Sequence, residues 1–459
     1  MSAGAVVTVL VKTDAIKFPN PSSVSTAKTS LDLLPTPRCL YGTSMNFSGI
    51  FSLVLAATTG GTEPTIQQIN QLFGVPLWTT ECLWDEQAAV VASRLGCRPE
   101  SAAGDKASYL ARTHQEILGA PIESLRVSAR GGKVDSIMIV YANKGDSVGL
   151  KPEHKHFKNS TDYNKALLAY EKALSLFPQR IQRDAATLEK NLTALLGASK
   201  NQRFGEGGAV SEIVKQWQWR DHAILLSEQP RESLSLRIVP PAQAGARAER
   251  ISDADLKKEL KDRVQRRPNG DVVVTGIPMV DQGRKGYCVP ATWSRYLQYM
   301  GIPVDEYALA NAADTRAGSG TFTRAMVTAV QPAVARNRRQ LVSFKGAPNL
   351  PMLEKYIDQG LPLMWTMCSV GPFEGTGRPP NRMDNLSLED WLKALKPFRA
   401  NAYKLNRNEN FHMCMIIGYN KATKEIATSD SWGPEHREKW YTLEEVQRVS
   451  RDELFVITW

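Results

Sequence analysis

The stretch Gln282-Gly-Arg-Lys-Gly-Tyr-Cys288-Val-Pro-Ala-Thr-Trp-Ser-Arg-Tyr-Leu-Gln-Tyr-Met-Gly301 decides how this chain is read. Trp293, Leu297 and Met300 recur at helical spacing after Cys288, and Gly301 follows as a natural stop. Pro290 suits a first-turn position, where its missing N–H costs nothing. The spacing therefore predicts a helix that begins at Cys288. A thiol becomes a strong nucleophile as the thiolate, and a helix N-terminus together with a nearby imidazolium lowers its pKa. Gln282 stands on the turn-rich loop Asp281-Gln-Gly-Arg-Lys-Gly286 just before the helix. From there its amide and the Cys288 backbone N–H can share a developing oxyanion, a donor role worth roughly 3–4 kcal/mol in the best-measured cases.

A second segment supplies a base and an acid. His412-Met-Cys-Met-Ile-Ile-Gly-Tyr-Asn420 reads as an apolar strand, Asn420-Lys-Ala-Thr-Lys424 as a turn, and Glu425-Ile-Ala-Thr-Ser-Asp430 as the returning strand. In such a hairpin His412 and Asp430 fall at the same open end. Asp430 can then accept from one imidazole nitrogen while the other faces Cys288, which fixes tautomer and orientation. Asp314 and Glu435 are the other acids to consider for that role.

These residues resemble the papain-like cysteine peptidases, and within them the branch of bacteriocin-leader-processing domains and their stand-alone relatives. That branch reads Gln, then Tyr-Cys-x-Pro-Ala, then His opening an apolar Gly-Tyr strand, then Asp-x-Trp-Gly; here these are Gln282, Tyr287 to Ala291, His412 to Tyr419 and Asp430 to Gly433. The resemblance covers roughly residues 271–459, well under half the chain. It implies an α+β fold in which a Cys-bearing helix packs on an antiparallel sheet that carries His and Asp. It also implies hydrolysis of a peptide or protein substrate, with Cys288 as nucleophile, His412 as base, Asp430 as orienter and Gln282 in the oxyanion hole. Two departures stand out. Asp430-Ser431 replaces the branch's usual Asp-Pro and is nearer the Asn-Ser-Trp-Gly of papain, and a polar, Pro- and Arg-rich insert occupies about 371–410.

Blander readings exist for each group. A lone Cys at a helix start is usually structural, and a lone His opening a strand is usually a hydrogen-bonded core or edge residue. The conjunction of Gln282, Cys288, His412 and Asp430 in one chain order is what favours a catalytic site. Cys368 and Cys414 compete as nucleophile, but their apolar surroundings make them small buried hydrophobes. Trp432-Gly433 reads as packing that roofs the histidine. A related thiol amidase or acyltransferase acting on cell-wall peptides would share dyad and fold, and a non-catalytic binding protein on the same scaffold is the remaining class.

With 459 residues the chain should hold two or three domains with real cores. The expected division is a leader or signal-like segment over 1–62, an α+β accessory domain over 63–240, a charged linker and helix over 241–270, and the catalytic domain over 271–459. A net charge of +10 would suit an anionic surface, but the basic residues are scattered with no interleaved aromatics, so no nucleic-acid partner is expected. The Cys and His spacings give no metal pattern, and no cofactor is required. His154 and His156 read as exposed loop; Cys82 and Cys97 are either bridged or two buried thiols.

Phe47-Ser-Gly-Ile-Phe-Ser-Leu-Val-Leu-Ala-Ala57 has the length of a secretory signal's apolar region and is too short to span a bilayer. With Met45 as the start, the expectation is export to the periplasm or beyond; a cytoplasmic chain with a buried segment here is the alternative. No membrane span is expected elsewhere. Further on, Thr65 to Gly74 and Leu83 to Gly96 read as helices, and Ile122–Arg130 with Val134–Ala142 as an antiparallel hairpin turning at Gly131-Gly132. Residues 161–197 read as helix divided or kinked at Pro178. Trp217–His222 with Ser233–Val239 is a second hairpin candidate, Asp253–Arg267 a charged helix on a solvated face, and Asp271–Val274 a strand. Nothing over 63–240 points to catalysis, and a binding or propeptide-like role is the expectation there.

Overall fold

In the computed structural model, which describes residues 63–245, 251–283, 285–369, 371–405 and 410–459, the segment Lys133–Asn143 is a strand whose two faces meet different neighbours. Successive side chains of a strand point to opposite faces. Ile137, Ile139 and Tyr141 enter a core shared with helices, whereas Met138 and Val140 pack against Tyr287, Tyr307 and Ala310 from the second half of the chain. The described residues all fall within one compact unit. The signal-like run Phe47–Ala57 and Cys39 lie outside the described residues.

That strand is central in an eight-stranded antiparallel sheet. Its order is Arg98–Ala103, Lys106–Arg112, Ser124–Arg130, Lys133–Asn143, Ser233–Val239, His222–Gln229, Ser211–Trp219, Lys200–Gly205. The second hairpin expected from the sequence is thus a three-strand meander, and both sheet edges are strands that the apolar pattern did not mark. Helices Ile66–Phe73 and Ala88–Arg94 and the 37-residue helix Ser160–Leu196 supply the other half of this sheet's core.

The long helix is not divided at Pro178, the first of the two outcomes expected there. A proline in a helix interior costs about 3 kcal/mol or more. Phe177, Ile181, Ala185, Leu188 and Leu192 lie on one stripe and are buried against the sheet. Burying one large aliphatic or aromatic side chain contributes roughly 1.5–3 kcal/mol, so the stripe outweighs one proline. No disulfide joins Cys82 to Cys97. His154 and His156 sit on an exposed single turn, as expected.

The second sheet is also antiparallel, in the order Val264–Arg266, Asp271–Val274, Phe411–Asn420, Leu363–Cys368, Ser450–Thr458, Gln340–Lys345; Glu425–Ser429 pairs with Phe411–Asn420, and Lys439–Thr442 extends it. Gly418 is required where two strands approach closely: a Cβ there would stand 2.5 Å from the Val272 carbonyl oxygen. The helix Cys288–Tyr299 is buried almost throughout and docks on this sheet, with Thr292 Oγ1 donating to the Met413 carbonyl at 2.9 Å and Trp293 against Phe455. The charged helix is shorter than expected, Asp253–Asp262, and its Leu256 and Leu260 enter the same core. A Cys-bearing helix on an antiparallel sheet, preceded by helices and hairpins, is the α+β class expected.

Two arginines of the insert, Arg378 and Arg382, are internal. Arg382 pairs with Asp271 at 2.9 Å and with Glu425 at 3.1 Å, and Arg378 with Glu425 and Glu445 at 3.2 and 3.0 Å, all buried. They clamp the turn end of the 411–429 hairpin. Among the described residues no helix is long and apolar enough to cross a membrane.

Candidate active site

Cys288 is the first residue of its helix, and its side chain is almost wholly buried. Tyr287, the residue before the helix, gives it no side-chain cap. The orphan amides and the positive end of the helix dipole therefore face the thiol's surroundings without a competing side-chain acceptor. Pro290 sits in the first turn, as its chemistry requires.

His412 is the second residue of the strand Phe411–Asn420, and Asp430 follows the end of Glu425–Ser429. Met415 pairs with Ser429, so the hairpin brings both to one end. His412 Nε2 lies 2.7 and 2.9 Å from the two Asp430 carboxylate oxygens. The Cys288 sulfur is near enough to this imidazole to favour its charged form. Burial alone would lower the His412 pKa, but the Asp430 charge and hydrogen bonds, with the Cys288 sulfur, outweigh burial and push it up to about 10. The ring is therefore held protonated at neutral pH between a carboxylate and a thiol sulfur. Trp432 stacks on it at 4.5 Å and 25°, and His436 meets Trp432 edge-on. Packing over the histidine was the expected role of Trp432.

Gln282 is buried and tied to the acid's own loop. Its backbone N–H donates to the Ser431 carbonyl at 2.8 Å, and Ser431 Oγ donates to Gln282 Oε1 at 2.6 Å. The Gln282 side-chain NH2 is then the end left for an incoming oxygen. Ser431 N–H also reaches Asp430 Oδ1 at 2.7 Å. The serine that departs from the Asp-Pro pattern thus connects the glutamine arm to the acid. Gly283 has φ +63°, and a Cβ there would strike the Arg112 guanidinium at 2.8 Å.

The structure hydrogen-bonds His412 to Asp430, sets Cys288 beside the ring, and ties Gln282 to the acid's loop through Ser431. Asp314 and Glu435 are exposed, and the carboxylate on His412 is that of Asp430. Cys368 and Cys414 are buried in the sheet core, and burial pushes the Cys414 thiol well above its ordinary range. Neither has the environment of a thiolate.

Sequence reasoning missed Arg295, which is wholly buried two turns after Cys288. It donates to the Pro278 carbonyl at 2.8 Å and to the Ser429 hydroxyl and carbonyl at 2.5 and 3.4 Å. Burial pulls its pKa down to about 10 against the opposing pull of the Asp430 charge. Its signal in the sequence is a single arginine on an otherwise uncharged helix. Among the described residues no group of three or more His, Cys, Asp or Glu side chains could hold a metal.

Residues 274–452 match the family model of the Peptidase_C39 like family. The C39-like region takes in Gln282, Cys288, His412 and Asp430, and it agrees with a papain-like cysteine peptidase domain in the C-terminal part of the chain. No curated protein matches the chain. The region begins at the last residue of Asp271–Val274 and ends at the third of Ser450–Thr458, so it takes in the middle of the second sheet's run but not Val264–Arg266.

Proposed function

We propose that the C39-like region is a working cysteine peptidase in which Cys288 attacks the scissile carbonyl carbon. The observation that carries this reading is His412 hydrogen-bonded to Asp430 and set beside the sulfur of Cys288, at the uncapped start of a buried helix. The imidazolium stabilises the thiolate before attack, then gives its proton to the departing amine nitrogen as the thioester forms. Neutral again, the imidazole takes a proton from water, whose oxygen attacks the thioester, and the acyl–sulfur bond breaks to release the acid and restore the thiolate beside the imidazolium. Gln282 NH2 and the Cys288 N–H receive the charge on the carbonyl oxygen at each addition. In this reading residues 271–459 are the catalytic part, residues 63–240 an accessory part, and the substrate is a peptide or protein.

The test is a profile of peptide hydrolysis by the full chain, run beside Cys288→Ala and beside a thiol-directed peptidase inhibitor. Hydrolysis that vanishes in the variant, with the inhibitor recovered as an adduct on Cys288, supports the reading. Equal hydrolysis by Cys288→Ala would refute it.

A further inference from the structure

The loop that carries Gln282 and leads to Cys288 is gripped along its length by the first sheet. Met279 N–H donates to Ser101 Oγ at 2.9 Å, and Asp281 N–H to Glu100 Oε1 at 3.0 Å. Arg112 donates to the Asp281 carbonyl at 2.7 Å. Lys285, fully buried, reaches Tyr307 Oη at 2.9 Å, Glu306 at 3.4 Å and Asp146 at 3.6 Å. Every residue from the first sheet's side of these contacts lies outside the region that matches the peptidase family.

The tightest grip is on Tyr287, the residue joined to the nucleophile. Its side chain is wholly buried, against Met138 and Val140 of the first sheet. Its hydroxyl donates to Glu232, on the turn before Ser233–Val239, and accepts from the Gly145 N–H at 3.2 Å. Glu232 is itself fixed by Lys144 Nζ at 2.8 Å, and its carbonyl accepts from the Lys144 N–H. A buried phenol whose charged partner is removed loses roughly 1–3 kcal/mol, so the ring has little freedom to leave. Gly145 sits in the helix Lys144–Val148, where local conformation would accept alanine. Space would not, since a Cβ there would stand 2.5 Å from Lys285 Cβ, 2.9 Å from the Lys285 carbonyl and 2.8 Å from Tyr287 Cε1.

We propose that Glu232 of the first sheet is a positioning residue for Cys288, acting through the Tyr287 phenol with Gly145 as the close-fitting support. The accessory part is then neither a propeptide nor a separate binding module but the fixed wall against which the nucleophile's backbone is set. This rests on the peptidase reading only for its turnover measurement. A displacement on the order of 1 Å at a reacting atom can cost a hundredfold in rate, and the phenol is one residue from the sulfur.

The test uses the full chain with Glu232→Ala, Glu232→Gln and Gly145→Ala. Each is measured for peptide kcat and KM and for the rate at which iodoacetamide alkylates Cys288, read by peptide mass. Glu232→Ala and Gly145→Ala should each lower kcat and the alkylation rate by about tenfold or more, with KM moved by less than about threefold. Glu232→Gln still offers the phenol an acceptor and should keep most of both. Gly145→Ala leaves the Glu232–Lys144 pair intact and so answers the question even if Glu232→Ala does not fold. If both lowered only the melting temperature, with kcat and alkylation unchanged, the proposal would be overturned. Slower alkylation in the variants of a chain that hydrolyses no peptide would uphold the positioning role and defeat the peptidase reading alone.

Discussion

Ser431 and Gln282 hold each other twice, backbone to backbone at 2.8 Å and hydroxyl to amide oxygen at 2.6 Å. The second bond sets which end of the Gln282 amide is free. Without the hydroxyl the amide can rotate by half a turn and present oxygen, a repulsive group, to a developing oxyanion. Ser431→Ala should therefore lower kcat by about tenfold, and Gln282→Ala by roughly a hundredfold, with KM little changed in either. The double variant should match Gln282→Ala alone. Steady-state kinetics of the four proteins settle it, and losses that multiply would show that Ser431 acts elsewhere.

The three buried thiols of the second sheet and its helix should behave differently. Cys288→Ala should abolish turnover and cost about 1 kcal/mol of stability or less. Cys368→Ala and Cys414→Ala leave small voids in the core and should lower the melting temperature while keeping kcat near that of the parent. Thermal unfolding and peptide hydrolysis on the same preparations separate the two patterns.

The raised pKa of His412 carries a prediction for stability against pH. A folded pKa near 10 lies above the ordinary histidine value, so the protonated ring stabilises the fold fully below about pH 6.5. That contribution is lost as pH rises from there through 10. Denaturant unfolding between pH 6 and 10 should show a stability decline in the parent that His412→Ala reduces. His412→Ala should also remove nearly as much activity as Cys288→Ala. Asp430→Asn should cost less, and combining it with His412→Ala should add little. Parallel pH dependence in parent and His412→Ala would contradict the assignment.

Arg295 should tolerate little change. Its guanidinium joins the loop at Pro278 to the end of the aspartate strand at Ser429, a fork that lysine cannot reproduce. Arg295→Lys and Arg295→Met should each destabilise by roughly 2–4 kcal/mol, because the three buried oxygens at Pro278 and Ser429 are no longer all met by donors. The loss should appear as a lower denaturation midpoint with an unchanged denaturant slope.

The helix Cys288–Tyr299 and the 411–429 hairpin were legible because their signals are local: a 3.6-residue period, a proline in the first turn, and an apolar strand with a polar turn. The four site residues follow from those two elements. The edge strands Arg98–Ala103 and Lys200–Gly205 were not legible, since an edge strand is half solvated and shows no clean alternation. Pro178 misled because propensity is local whereas the apolar stripe that overrides it needs a sheet to lie on. The hold of Glu232 on Tyr287 spans 55 residues of sequence and that of Gly145 spans 142, and no spacing rule relates such pairs.

The ring of Trp432 lies nearly parallel to that of His412 and covers one of its faces. With Asp430 holding Nε2 as well, the imidazole has neither the room nor the freedom to swing. A proton taken from the sulfur must leave along the line on which it arrived. In the proposed peptidase reading, the departing nitrogen then meets its proton on the side of the ring that Trp432 leaves open, beside the sulfur.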